Sequence, residues 1–342
     1  MKSSPSKQRE RLSPDSAAPT DSVAALQAAL LGWYSRHQRQ LPWRQDRDPY
    51  RVWVSEIMLQ QTRVAAVLEH YRDFLAAFPT VSALASAPEQ TVLARWSGLG
   101  YYRRARLLHQ AAQVVERDFG GQIPGELAAL RALPGVGRYT AAAIASIAFD
   151  VPAAVVDGNV ERVLSRMDGT PREGAEAWTR AEELLAPLHP GDWNQAMMEL
   201  GATVCTPRSP QCLVCPVRQW CKAPGAETMR PQAARKQVES TRALIERGGR
   251  VFLVQRAHTA VKMAGMWELP ELTIQPEGAR ELCLVRHSIT DSDFRVRVVP
   301  GALKHLSAAE RATGRWAALE QLRELPLTGL TRKVLRKLDR LS

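Results

Sequence analysis

From Asp21 to about Lys222 the apolar residues recur at i, i+3 and i+4, the spacing that gathers them on one face of a helix. The clearest segments are Val23–Tyr34, Val52–Phe78, Arg103–Phe119 and Arg138–Phe149. Glycine or proline punctuates their ends, at Pro79, Gly120–Gly121 and Pro134–Gly135. Ala223–Val238 has few large apolar residues, two prolines and several charges, and reads as an inter-domain linker. After it the texture changes. Thr241–Ile245 and Val251–Gln255 are β-prone runs around Gly248–Gly249, the signature of a hairpin. Glu281–Val285 and Phe294–Val299 are further strand candidates, and Thr328–Leu341 reads as a closing helix. The expected division is a disordered polar tail (1–20), a helical domain (21–222), the linker (223–238) and an α+β domain (239–342), with no internal repeat.

A length of 342 residues suits two domains, and 45% hydrophobic residues can build real cores. The formal charge of +11 changes the picture more. Basic surface neutralises phosphates and releases their counterions, so the excess points to a polyanionic partner. On charge alone, a basic protein with no such partner stays open. No apolar run approaches the length that spans a bilayer, so no membrane partner is expected.

Four of the five cysteines fall in one short stretch: Cys205, Cys212, Cys215 and Cys221, spaced C-x6-C-x2-C-x5-C. The fifth, Cys283, lies far downstream. Pro207, Pro210 and Pro216 disfavour helix there and let the loop wrap. Disulfides, structural zinc and an iron–sulfur cluster all remain open. Zinc usually takes two tight C-x2-4-C pairs, and here only Cys212 and Cys215 are so paired, which places iron–sulfur ahead. Free thiols fit a reducing cytosol, so a cytoplasmic protein is expected, nucleoid-associated if its polyanionic partner is DNA.

The string L-P-G-V-G-R-Y-T-A, Leu133–Ala141, sits between two predicted helices. Its glycines permit a tight turn whose backbone N–H groups meet a helix N-terminus, a phosphate site that needs no side chain. An ordinary connection between helices is the plain alternative. With both flanking helices, the string resembles the helix–hairpin–helix DNA-binding motif.

That hairpin, then V-D-G-N-V around Asp157, then the four-cysteine loop, resembles the endonuclease III superfamily of DNA glycosylases. Within it, L-P-W-R (Leu41–Arg44), P-Y-x-V-W-V-S-E-I-M-L-Q-Q-T (Pro49–Thr62), G-L-G-Y-Y-x-R-A-R (Gly98–Arg106) and N-Q-A-M-M-E-L-G (Asn194–Gly201) are similar to the MutY adenine DNA glycosylases. The resemblance implies an all-α two-lobed glycosylase domain, a [4Fe–4S] cluster on Cys205, Cys212, Cys215 and Cys221, and a monomer acting on double-stranded DNA. The implied reaction removes adenine mispaired with 8-oxoguanine or guanine, in base excision repair.

Each implied role competes with a plainer one. Glu56 has apolar helical neighbours in Val52, Trp53 and Leu59; from the helix alone a structural ion pair with Arg51 or Arg63 leads, and the resemblance reverses that, since Glu56 aligns with the family's catalytic acid. Asp157 could stabilise an oxocarbenium ion, and it is also good helix-capping chemistry before Val160–Met167. Tyr139 stands where strand-cleaving relatives carry a lysine, and a phenol forms no Schiff base, so the implied enzyme is a glycosylase and not a lyase. Tyr139 and Asn159 are expected to support Asp157 by hydrogen bonds. Gln60 and Gln61 resemble the family's duplex-penetrating pair and Tyr101 a stacking wedge. Leu133, Gly135, Val136 and Gly137 form the hairpin that meets DNA. Arg208, with Arg218 and Lys222, is a candidate phosphate contact, though surface charge explains any one of them.

The second domain resembles a Nudix-like domain through G-M-W-E-L-P (Gly265–Pro270), R-W-A-A-L (Arg315–Leu319) and L-P-L-T-G-L (Leu325–Leu330). A Nudix hydrolase would carry paired glutamates near Val285–Arg286, so recognition without hydrolysis is expected. Family members usually have R-H-x-F-S-H here, with the Ser and His reading 8-oxoguanine. This chain has Arg286-His287-Ser288-Ile289-Thr290-Asp291, in which Thr290 replaces the serine hydroxyl and Asp291 puts an anion in place of the imidazole. Two other functions compete: a thymine mismatch glycosylase, and a cluster-bearing DNA-binding protein without catalysis. Glu56 and the second domain favour adenine, and Glu56 with Asp157 favours an enzyme.

Overall fold

The computed structural model describes residues 19–227, 234–272, 278–289 and 291–341. Helices follow in order: α1 (Pro19–His37), α2 (Pro49–Leu59), α3 (Val64–Ala77), α4 (Val81–Ser86), α5 (Glu89–Trp96), α6 (Arg103–Phe119), α7 (Leu127–Ala132), α8 (Arg138–Phe149), α9 (Gly158–Asp168), α10 (Gly174–Leu184) and α11 (Pro190–Thr203). Then come β1 (Lys236–Leu244), β2 (Glu246–Arg247), β3 (Arg250–Gln255), β4 (Trp267–Glu268), β5 (Cys283–Ile289), β6 (Ser292–Pro300), α12 (Ala308–Thr313), β7 (Gly314–Ala318) and α13 (Gly329–Lys337).

The compact units do not follow chain order. The first joins residues 19–38 to 152–227. Here α1 lays Leu30 and Trp33 against Val160 and Leu164 of α9 and Trp193 and Leu200 of α11, all buried in one cluster. Burying side chains of this size stabilises by roughly 1.5–3 kcal/mol each before ordering costs. Pro190 opens α11 at its first turn, where its missing N–H breaks no bond, and Asp192 faces the positive end of the helix.

The second unit holds helices α2–α8 together with the α+β region. Trp53, Met58, Phe74, Trp96, Leu108 and Ile144 are fully buried in its helical part. Phe74 and Trp96 meet edge to face at 5.8 Å. The expected long helix Val52–Phe78 is broken. α2 ends at Leu59, Gln61 takes a left-handed φ of 54°, and α3 starts at Val64.

In the α+β region, Gly248 and Gly249 have φ of 55° and 69°, as a two-residue hairpin turn requires, and join β2 to β3. The run at Thr241–Ile245 mostly serves elsewhere. It belongs to β1, which pairs parallel with β6, and β6 pairs antiparallel with β5. A second sheet places β3 between β4 and β7. β1 begins at Lys236, inside the stretch read as linker, because its backbone already pairs with Ser292. The polar tail lies almost wholly outside the described residues, and α1 begins at Pro19, a position where a helix tolerates proline. Val285 and Arg286 lie on β5, so a Nudix metal helix does not occupy those positions. The Ser97 hydroxyl donates to the Leu327 carbonyl at 2.6 Å, tying the α+β region to the turn after α5.

Candidate active site and cysteine loop

Helix α2 is capped by Asp48, which accepts from the Arg51 amide, and Pro49 opens it. Val52, Trp53, Ile57 and Met58 bury its apolar faces, and Glu56 goes in with them at 6% exposure. The Tyr139 hydroxyl donates to Glu56 Oε2 at 2.8 Å. Tyr139, expected to support Asp157, thus also holds the other carboxylate. Arg51, considered above as an ion-pair partner of Glu56, binds Asp46 at 2.6 Å.

Tyr139 reaches Glu56 because it sits in the first turn of α8, immediately after the hairpin. Gly135 there has φ of 75°, and a Cβ on it would lie 2.7 Å from Leu107 Cβ, so glycine is required twice over. Leu133 and Val136 are buried at 3% and 6%. Their side chains anchor the turn, and its exposed residues are Gly135 and Gly137, with the N–H groups of α8 following. Gln60 is half-buried and its Nε2 donates to Thr140 Oγ1 at 3.3 Å, while Gln61 and Tyr101 are exposed.

In the first unit, Asp157 caps α9. Its Oδ1 accepts from the amides of Asn159 and Val160 at 2.9 and 2.8 Å, and Oδ2 accepts from Asn159 Nδ2 at 3.0 Å. Capping and the expected pairing with Asn159 thus coexist. Three residues that carried no role above build this corner. Asn194 accepts from the Val155 amide and donates to the Ala153 carbonyl, fixing the chain that leads into Asp157. Gly201 lets α11 approach α9, since a Cβ there would lie 2.6 Å from Asn159 Cβ. Arg162 donates to Asn159 Oδ1, the Gly201 carbonyl and the Cys205 carbonyl, all within 2.8 Å. The available signal was a polar Asn among the apolar positions of α11, inside a motif already noted.

Cys205, Cys212, Cys215 and Cys221 line one cavity with Val163, Met167 and Leu200, and none of the four is in a disulfide. Among the described residues no three His, Cys, Asp or Glu side chains converge on a single metal ion. Four thiols around a shared apolar cavity suit a larger cluster ligated at its corners, and the family match below agrees. Burial pushes the Cys215 thiol up to about 11, and the other three cysteines add to this, so cationic iron must offset the charge of four thiolates. The Arg166 guanidinium donates to Cys205 Sγ and the Gly225 amide to Cys212 Sγ, both at 3.2 Å. Arg208, Arg218 and Lys222 are exposed around this loop. Cys283 is buried in β5, in the other unit.

In the α+β region Thr290 lies outside the described residues. Asp291 is exposed, 3.7 Å from Lys262 Nζ. Its carboxyl is held below the usual range by its own backbone amide, the Ser292 hydroxyl and Lys262.

Residues 54–187 match the family model of the HhH-GPD superfamily base excision DNA repair proteins, and residues 205–221 match the iron–sulfur binding domain of endonuclease III. The loop is therefore the ligand set of a [4Fe–4S] cluster. Adenine DNA glycosylases of Rattus norvegicus and Homo sapiens are each 38% identical, over 76% and 74% of this chain. The chain spans 62% and 58% of the length of those relatives. One from Mycobacterium tuberculosis is 44% identical over 56% of the chain and 65% of its own length. A thermostable thymine-DNA glycosylase structure is 31% identical with a TM-score of 0.56, covering 59% of this chain and 96% of that one. An endonuclease III–DNA complex, at 22% identity and a TM-score of 0.52, shares the fold over 60% of this chain and 96% of its own. A helical scaffold, a glycine hairpin, a capped aspartate and a cluster-binding loop thus meet in one chain, which belongs to the HhH-GPD superfamily of base excision DNA repair proteins and counts adenine DNA glycosylases among its relatives.

Proposed function

We propose that the protein is a monofunctional DNA glycosylase that excises adenine mispaired with 8-oxoguanine or guanine. The observation that carries this reading is the buried Glu56 held by Tyr139, an acid beside a phenol where a lyase needs an amine. Similarity to proteins named adenine DNA glycosylase supplies the base.

The bond to be broken joins the sugar C1′ to adenine N9. Adenine is a poor leaving group as an anion, so a proton must reach its ring as the bond breaks. Glu56 delivers it. The Tyr139 hydroxyl, donating to Oε2, holds the carboxyl group that carries the transferred proton. The electron pair leaves with the base, and positive charge grows on the sugar. Asp157, fixed by two amides and Asn159, sets its negative charge against that cation without reorganising. Water then adds to C1′ and passes its proton to the Glu56 carboxylate, which restores the acid. The four cysteines would hold the [4Fe–4S] cluster, which would cross-link their loop, and Arg162 joins that loop to Asn159.

The glycine hairpin and the basic surface hold the phosphates, Gln61 and Tyr101 enter the stack as the adenine is flipped, and the Nudix-like α+β region reads the opposite base. Among the described residues no helix is long and apolar enough to cross a membrane. The test is single-turnover base release from duplexes with A opposite 8-oxoguanine, A opposite G, and T opposite G. Release of adenine, without strand cleavage, is expected. Release of thymine alone would favour the thymine enzyme that the similar solved structure brings into view. No release from any duplex would leave a DNA-binding protein.

A further inference from the structure

Among the exposed residues of the second unit, Gln61 at φ 54° and Tyr101 at φ 47° hold backbone conformations that side chains rarely adopt. Such residues persist only where their surroundings over-determine them. One side chain reaches both turns. Arg104, in the first turn of α6, sends NH1 to the carbonyls of Ile57 at 2.8 Å, Met58 at 3.0 Å, and Gln60. NH2 donates to Thr62 Oγ1 at 3.1 Å and to the Gly100 carbonyl at 3.4 Å. The guanidinium carbon lies 5.3 Å from the Tyr101 ring centroid and 5.5 Å from that of Trp96.

The chemistry of each contact is specific. Ile57 and Met58 supply carbonyls from the last turn of α2, which have no partner within the helix, and a cation at that end is favoured by the helix dipole. Gln60 and Thr62 bracket Gln61. Gly100 immediately precedes Tyr101. A planar fork with donors on both arms can bind two turns at once, whereas an ammonium is a single point. Burial lowers the Arg104 pKa to about 10, which leaves it charged at neutral pH. Its Nε is buried with no hydrogen-bond partner among the described residues. The group therefore gives up one donor to keep the orientation that serves both turns.

We propose that Arg104 is a positioning residue that locks the Gln60–Thr62 and Gly98–Tyr101 turns into one rigid wedge, so that Gln61 and Tyr101 meet the duplex already ordered. Arg104 does not touch the base; it acts through the two turns it ties. Ordering them beforehand removes that entropy from the binding step, where it would otherwise oppose base flipping. This rests on the base-excision reading above.

Two measurements test it on the full-length, cluster-loaded protein. The first needs no substrate: backbone hydrogen exchange in Arg104→Met should accelerate in both turns together, with the amides of α8 unchanged. Acceleration in neither turn, or in only one, would overturn the proposal. The second is single-turnover excision at saturating protein from two duplexes. In one the target adenine is flanked by normal pairs; in the other both flanking pairs are mismatched, so the base is already loosely stacked. Arg104→Met should lose at least tenfold in rate on the first and less than threefold on the second. Arg104→Lys should fall between, since it keeps the charge without the fork. An equal rate loss on both duplexes, or wild-type rates on the first, would overturn it. A mere loss of folded protein lowers the amplitude on both and leaves the rates alone. If the wild type excises adenine from neither duplex, the functional reading fails, and the exchange result still decides the role of Arg104.

Discussion

Tyr139 and Glu56 share a hydrogen bond of 2.8 Å, although 83 residues separate them in the chain. The phenol donates and the carboxyl oxygen accepts, so the two side chains act as one unit. Tyr139→Phe keeps the ring and removes only the donor. A hydrogen bond to a charged group contributes about 1.5–3 kcal/mol, so single-turnover excision should slow roughly 10- to 150-fold if that bond is worth more in the transition state. An unchanged rate would make the phenol a packing residue only.

Tyr139→Lys asks a different question. If the position faces the sugar, the new amine should yield some covalent protein–DNA adduct on borohydride treatment, and the wild type none. Efficient trapping by the wild type would mean that another lysine attacks the sugar.

Glu56→Gln keeps the shape and a hydrogen-bond acceptor and loses the acid. Excision should fall by roughly 10²–10⁴-fold while duplex affinity stays within a few-fold. Rates close to wild type would remove Glu56 from proton donation.

Asp157→Asn separates capping from charge. Asparagine caps helices about as well as aspartate, so melting temperature should move little. The neutral amide opposes no sugar cation, and excision should be severely impaired. A variant that excises normally would show that Asp157 only caps α9.

Freshly prepared protein should be yellow-brown, with iron and sulfide near stoichiometric. Cys212→Ala should lower the thermal midpoint and DNA affinity more than the rate of bound substrate. One equivalent of zinc with no iron would contradict the cluster assignment.

The helical pattern read from apolar spacing matches α6 and α8 at both ends, because amphipathic helices with glycine or proline beyond them carry their own boundaries. The break after Leu59 was not legible. Gln60-Gln61-Thr62 continues a helical pattern, and the side chain that ends the helix, Arg104, comes from 45 residues downstream. For the same reason the spacing says nothing of Tyr139 meeting Glu56: each lies on its own helix, and the pairing comes from packing of α2 against α8. Asp157 with Asn159 was legible because a cap is local. The burial of Leu133 and Val136 was not legible, because a motif names positions and packing decides which atoms of those positions meet solvent.

The first compact unit is assembled from two distant stretches of chain, and this bears on how the protein is made. α1 is synthesised before α9 and α11, yet its Trp33 and Leu30 share one buried cluster with those helices, and residues 39–151 come between. At ~5–20 residues per second, that interval lasts several seconds or more. Throughout it, α1 carries an uncovered apolar face beside a nascent second unit. Most of a protein helix's stability comes from packing its apolar face, so α1 should stay largely unformed until the cysteine region emerges. Chains arrested at Val151 should therefore be cut by protease within 19–38, and chains extended past Cys221 should resist.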